Sequence, residues 1–180
     1  AFNILLEEDI FRTNPQALEK LTGWVNARDA GRQPAAMYAM GSLLLAKDDL
    51  AGAVKMAEDG LSKYPQSLPV QTLSLNTITT LLDKNRVEDA ERLISKYPGT
   101  SPGLVFQQGA LAFRKGDYPL AQSLFREAAR RASEKTAESA LFNENLAALN
   151  ANDAAGAAAL VKEAAGSAQL REHILFEQAH

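Results

Sequence analysis

The chain has 180 residues, of which 46% are hydrophobic and 23% are charged, with a formal net charge of −3 and no cysteine. This composition is typical of a soluble globular protein, and it excludes a disordered chain, a disulfide framework, a zinc–thiolate site and a thiol nucleophile. Because phosphate binding needs clustered lysine and arginine, a negative charge without a basic run argues against nucleic acid and anionic membrane as partners.

The sequence contains no stretch near the roughly 18 apolar residues needed to cross a bilayer, so we expect no direct membrane insertion. The first residues, AFNILLEEDI, include neither an initiator methionine nor a basic leader. We therefore expect a processed product or a piece of a longer, bacterial-looking protein. Its compartment stays open between cytoplasm and periplasm.

Hydrophobic periodicity predicts helices that come in pairs along the chain. Short polar segments, KDD, KNR, KGD and NAND, separate the two helices of successive pairs. The predicted pairs are 2–12 with 15–29, 34–47 with 50–63, 67–83 with 87–97, 102–115 with 118–132, and 135–150 with 154–166. The final segment, SAQLREHILFEQAH, predicts one further helix that covers the apolar side of the last pair.

Internal repetition supports this pairing. The tetrapeptide Ser-Lys-Tyr-Pro ends at Pro65 and again at Pro98 (98 − 65 = 33). Gly41 and Gly109 are separated by about twice that interval (109 − 41 = 68), and each is followed by an alanine twelve places later. A period of roughly 34 residues that joins two helical patterns is typical of a helix-turn-helix solenoid.

These residues resemble the tetratricopeptide repeat family, whose pattern is W-x2-L-G-x2-Y, then A-x3-F, then P. The stretch RKGDYPLAQSLFREA, with Ala121 and Phe125, is similar to the family's turn and second helix. The resemblance implies an all-α fold, a right-handed superhelical solenoid of helix-turn-helix repeats forming a single domain over 1–180. Its parts would be a degenerate leading repeat at 1–33, repeats at 34–67, 68–101, 102–134 and 135–167, and a capping helix at 168–180.

The resemblance also implies a concave groove lined by the first helix of each repeat, with the fifth, ninth and twelfth places pointing inward. Bulky apolar residues dominate those places, so we expect a peptide-binding groove rather than the family's basic clamp for a chaperone's terminal carboxylate. The predicted groove residues are Tyr38, Ser42, Leu45, Leu75, Thr79, Leu82, Phe106, Ala110, Phe113, Arg114, Phe142, Leu146 and Leu149.

No catalytic constellation is evident, and the sequence predicts neither an enzyme nor a cofactor or metal site. His173 and His180 lack a surrounding set of ligands, and Ser42 lacks the second glycine of a nucleophile elbow. Arg126, Arg130 and Arg131 end a predicted helix, where the helix dipole favours positive charge. A site for phosphate or an acidic partner there is the less favoured interpretation.

The sequence thus predicts a protein–protein interaction scaffold that binds a helical or extended apolar peptide of a partner protein in its groove. Two alternatives remain open: a regulatory or substrate-presenting domain of a larger enzyme, and a module that forms homo-oligomers through the groove. A further alternative is that the chain's own ends, FNILL or ILF, cover the apolar row, or that the row is ordinary core.

Overall fold

The computed structural model describes residues 15–27, 29 and 31–179. Throughout these residues the regular structure is helical, without a strand, which confirms the all-α prediction. The helices are α1 (Pro15–Asn26), α2 (Gln33–Ala46), α3 (Leu50–Lys63), α4 (Leu68–Asp83), α5 (Val87–Lys96), α6 (Pro102–Arg114), α7 (Tyr118–Arg131), α8 (Glu134–Asn150), α9 (Ala154–Glu163) and α10 (Ala168–Gln178), with a 3-10 turn at Ala164–Gly166.

Most predicted helix bounds agree with the structure to within one residue. The two exceptions are carboxyl ends: α1 stops at Asn26, and α9 gives way to the 3-10 turn after Glu163. The predicted helix at 2–12 lies outside the described residues. Local capping and turn residues therefore fix most helix bounds, because their chemistry does not depend on distant packing.

The chain divides into two compact units, one that ends at Gly99 and one that begins at Thr100. In the first unit, α2 packs on α1, α3 and α4, and α4 also packs on α5. In the second unit, α6 packs on α7, α7 packs on α8, and α8 contacts α9 and α10. Within each unit, a helical hairpin therefore packs against the next one along the chain.

The helical hairpins α2–α3, α4–α5, α6–α7 and α8–α9 have turns of the same backbone conformation. A residue with positive φ, between 57° and 78°, stands second after the first helix: Asp48, Asn85, Gly116 and Asn152. The N–H of the following residue donates to the carbonyl five residues back, at 2.7–3.0 Å. The N–H of the positive-φ residue donates three residues back, at 3.0–3.1 Å. These two hydrogen bonds define the Schellman motif, which satisfies carbonyls left open at a helix end.

Three of these turns also cap the next helix. The side chains of Asp49, Asp117 and Asp153 accept hydrogen bonds from the backbone N–H groups three residues later. The turn before α5 has Arg86 at this place, which makes no side-chain cap. Acidic residues in the first turn of α5 interact favourably with that helix's amino end instead. The repeated sequence segments therefore form turns of the same backbone conformation, and the turn before α5 differs from the others because it lacks the side-chain cap.

The glycines that mark the repeat make room for large side chains. A Cβ built on Gly41 would lie 2.3 Å from a methyl carbon of Leu73, and one on Gly109 would lie 2.9 Å from the ring of Phe125. Leu73 comes from the next hairpin, whereas Phe125 comes from the partner helix of the same hairpin. Equivalent places in the repeat thus receive side chains from different helices.

Candidate peptide-binding surface

In the first unit, the predicted groove residues have different degrees of exposure. Tyr38, Ser42, Leu45 and Leu75 are half-buried, and Thr79 is exposed. Leu82 is only 3% exposed, so its assignment to an open groove is wrong. It lies in the last turn of α4, where the chain reverses into α5, and it belongs with Leu81 to the core of this unit.

In the second unit, the predicted row remains partly open to solvent on two successive first helices. The half-buried members are Phe106, Ala110 and Phe113 on α6, and Phe142, Leu146 and Leu149 on α8; Arg114 is exposed. Each half-buried member has one part that packs on the protein and another part that faces solvent. The row in this unit is therefore neither ordinary core nor fully solvated surface.

Two rings of this row are anchored in the unit. The ring of Phe106 makes an edge contact with Phe125, with centroids 5.3 Å apart and planes at 61°. Phe113 contacts Tyr118 in the same way, at 5.2 Å and 67°. Such contacts hold the aromatic side chains in fixed orientations, which lowers the entropy cost of presenting them to a partner.

The carboxyl-terminal helix α10 covers part of the row near Phe142. The ring of Phe142 packs against a cluster that contains Leu170 and Ile174, and its centroid is 6.3 Å from that of His173. In the segment ILF, Ile174 is buried, whereas Leu175 and Phe176 are 45% and 61% exposed. Only one residue of the segment therefore meets the expectation that the chain's own end covers apolar surface.

A cleft of about 290 Å³ lies between α8 and α10, next to Phe142. Phe142 and Leu170 supply its apolar lining, and its polar lining comes from Glu138, Ser139, Asn143, Gln169 and His173. This cleft is absent from the sequence-based predictions. One signal was available, because His173 follows Phe142 at close to the repeat period (173 − 142 = 31), so the fifth place recurs in the final helix.

A buried carboxylate lies elsewhere on α8. Glu144 is fully buried, and its Oε1 accepts a hydrogen bond from Arg126 Nε at 2.7 Å. No described residue hydrogen-bonds to its Oε2. Burial raises the pKa of Glu144 and outweighs the attraction of Arg126. The sequence offers Arg126 as a cation for a phosphate or an acidic partner, but in the structure it pairs with Glu144 of the same unit.

The raised pKa of Glu144 has a consequence for stability. The carboxyl group of Glu144 is harder to ionise in the folded chain than in the unfolded chain. Its contribution to the free energy of unfolding is therefore fully present below the unfolded pKa and is lost as the pH rises through the folded pKa. We expect Glu144→Gln to become more stable relative to the native chain between about pH 4 and about pH 7.5. Urea unfolding at several pH values measures this difference.

The matched control is Glu127→Gln, which removes an exposed carboxylate of α7 that pairs with Arg131 on the same helix. This variant should show a much smaller change with pH, because solvent screens exposed ion pairs. A relative stability of Glu144→Gln that falls with pH would mean that the attraction of Arg126 dominates.

Across the described part of the chain, no helix is both long and apolar enough to cross a membrane. Over the same residues, no group of three or more histidine, aspartate and glutamate side chains is placed to hold a metal ion.

The chain matches no protein family and no curated protein. Its fold is similar to the crystal structure of BtubC (BKLC) from P. vanneervenii, with a TM-score of 0.70. The match covers 99% of this chain and 79% of the other, at 14% sequence identity. At that identity the similarity concerns the helical fold alone.

Proposed function

We propose that the chain is a right-handed solenoid of tetratricopeptide-like repeats that binds a helical or extended apolar segment of a partner protein. The equivalent Schellman turns support the repeat, since their left-handed residues recur at similar intervals (85 − 48 = 37, 116 − 85 = 31 and 152 − 116 = 36). The succession of packed hairpins within each unit supports stacking of repeats. Binding, rather than catalysis, is the function proposed.

One observation carries this proposal: α6 and α8 keep a row of half-buried apolar residues at the places where the resemblance puts the groove. Phe106, Phe113 and Phe142 are aromatic, and aromatic anchors contribute much of the energy at peptide interfaces. Anchored aromatic rings beside solvent favour a preorganised surface for an apolar partner. The partner segment would cover the exposed part of this row.

The test replaces Leu146 and Leu149, which stand three residues apart on α8 and are both half-buried. Random peptides displayed on phage are selected on the immobilised native chain, and synthetic versions are titrated by fluorescence anisotropy. The double variant Leu146→Ser/Leu149→Ser should weaken the selected peptides at least about thirtyfold, the effect of losing roughly 2 kcal/mol of anchoring contact.

The matched control is Leu120→Ser, the same chemical change on the second helix of a hairpin, where the leucine is 48% exposed. It should leave peptide affinity unchanged, and circular dichroism melts of both variants show whether the helices persist. Equal losses of affinity in a folded double variant and in the control would overturn the assignment of the surface. A concentration-dependent dimer of the native chain, dispersed by the double variant, would favour homo-oligomerisation instead.

A further inference from the structure

The cleft between α8 and α10 contains a carboxylate that pairs with no cation among the described residues. Glu138 is half-buried, and within the described part of the chain no lysine, arginine or histidine lies within ion-pair distance of it. Glu58 pairs with Arg92 and Lys96, and Glu144 pairs with Arg126. Half-buried Asp153 instead accepts hydrogen bonds from two neutral donors, Gln122 and the Gly156 N–H, whereas the described residues provide no such pair of donors to Glu138. A partly desolvated carboxylate that lines a cleft gains from a cation brought by a ligand.

The rest of the cleft determines what kind of cation fits. Phe142 and Leu170 supply apolar surface, which suits the aliphatic stem of a long side chain better than a hydrated metal ion. The face of an aromatic ring also attracts a cationic head group. A cationic side chain with a long apolar stem matches both parts of the lining.

A second acceptor in the cleft distinguishes arginine from lysine. Asn143 Nδ2 donates to the backbone carbonyl of Ser139 at 2.8 Å, which orients the amide and leaves its Oδ1 to accept. Guanidinium has five N–H donors in a fixed plane, so it can donate to a carboxylate and an amide oxygen while it stacks on a ring. The ammonium of lysine is a compact, strongly hydrated charge that does not stack.

We propose that this cleft binds an arginine side chain of the partner peptide, with the guanidinium beside Glu138 and Asn143 and the stem on Phe142 and Leu170. This inference rests on the proposed peptide-binding function and specifies its partner. The partner segment is apolar where it covers the row of α6 and α8, and it carries an arginine where it reaches α10.

The probe is N-acetyl-L-arginine amide, titrated into the full chain and followed by ¹H–¹⁵N NMR. Saturable shifts should centre on residues 138–143 and 169–173. N-acetyl-L-citrulline amide has the same shape without the charge and should bind at least about tenfold more weakly, because charge-assisted hydrogen bonds are the stronger ones. Shifts of equal size with citrulline, or shifts spread over all acidic surfaces, would overturn the proposal.

Two variants test the residues. Glu138→Gln should weaken the arginine probe at least about tenfold, whereas Glu163→Gln, an equal charge change at an exposed site on α9, should not. Phe142→Leu keeps the apolar floor and removes the ring, so it should weaken the probe less than Glu138→Gln. The dispersion of each spectrum reports whether the variant is folded. Equal weakening by the two glutamine variants would mean that general electrostatics explains the binding.

The same variants separate this inference from the proposed function. Selected peptides that lose affinity with Leu146→Ser/Leu149→Ser but bind Glu138→Gln normally, together with an absent probe response, would overturn the arginine site and leave peptide binding standing. Selected peptides that contain arginine and lose at least about tenfold affinity for Glu138→Gln would support the arginine site within its proposed setting.

Discussion

Replacing Phe125 by alanine should lower the free energy of unfolding of the second unit by about 3–5 kcal/mol. Phe125 is 1% exposed, occupies the space next to Gly109 and makes an edge contact with Phe106. Its removal leaves a cavity between α6 and α7 that a backbone held by packed hairpins can close only in part. Chemical unfolding measures the total effect, and hydrogen exchange should show the largest loss of protection in α6, α7 and α8.

The control for Phe125→Ala is Leu120→Ala on the same helix, where the leucine is 48% exposed. A loss within about 0.5 kcal/mol is expected there, as for other surface substitutions. Similar losses of stability at the two positions would mean that α7 packs on α6 through a different face from the one seen in the structure.

Replacing Gly109 by leucine should cost about 3 kcal/mol, because the first added carbon alone would lie 2.9 Å from two ring carbons of Phe125. The ring must move, and it lies in a cluster that includes the buried Ala112, Ala121 and Ala147. Chemical unfolding of Gly109→Leu beside the native chain measures the loss. Arg130→Ala, at an exposed position late in α7, should change stability by less than about 0.5 kcal/mol.

A double-mutant cycle identifies the cause of the Gly109→Leu effect. In the Phe125→Ala background, the leucine can enter the space that the ring has left, so its cost should fall by more than about 1 kcal/mol. Additive losses in the double variant would show that the leucine clashes with something other than Phe125.

The sequence is most informative where structure depends on neighbours along the chain. Lys-Asp-Asp and Lys-Gly-Asp predict a turn between two helices, and in the structure these turns contain a left-handed residue, Asp48 or Gly116, followed by a cap for the next helix. Helix pairing follows from the same short turns. Such chemistry is local, so periodicity and turn residues suffice to predict it.

The candidate surface is less predictable, because it depends on which helices meet. The burial of Leu82 depends on how the helices pack where the chain reverses into α5. Sequence spacing alone predicts a groove position for Leu82 and Leu75 alike. The cleft beside Phe142 exists because α10 packs on α8, which brings Gln169 and His173 opposite Glu138. A family pattern that stops at the last full repeat contains no information about such a contact.

Glycine substitutions in the turns that end the first helix of each hairpin should raise the thermal stability of the protein. Gly116 occupies the left-handed position of one turn, but Asp48, Asn85 and Asn152 hold that conformation with a Cβ present, at a cost that glycine avoids. Each glycine introduced there could add up to about 1 kcal/mol after its greater freedom in the unfolded chain is counted. At Asp48 the glycine also removes the carboxylate that pairs with Lys84 at 2.6 Å, and Lys84 precedes Asn85, so the gains at Asp48 and Asn85 should not simply add. The chain can therefore be engineered for heat resistance without altering any residue of its proposed binding surface.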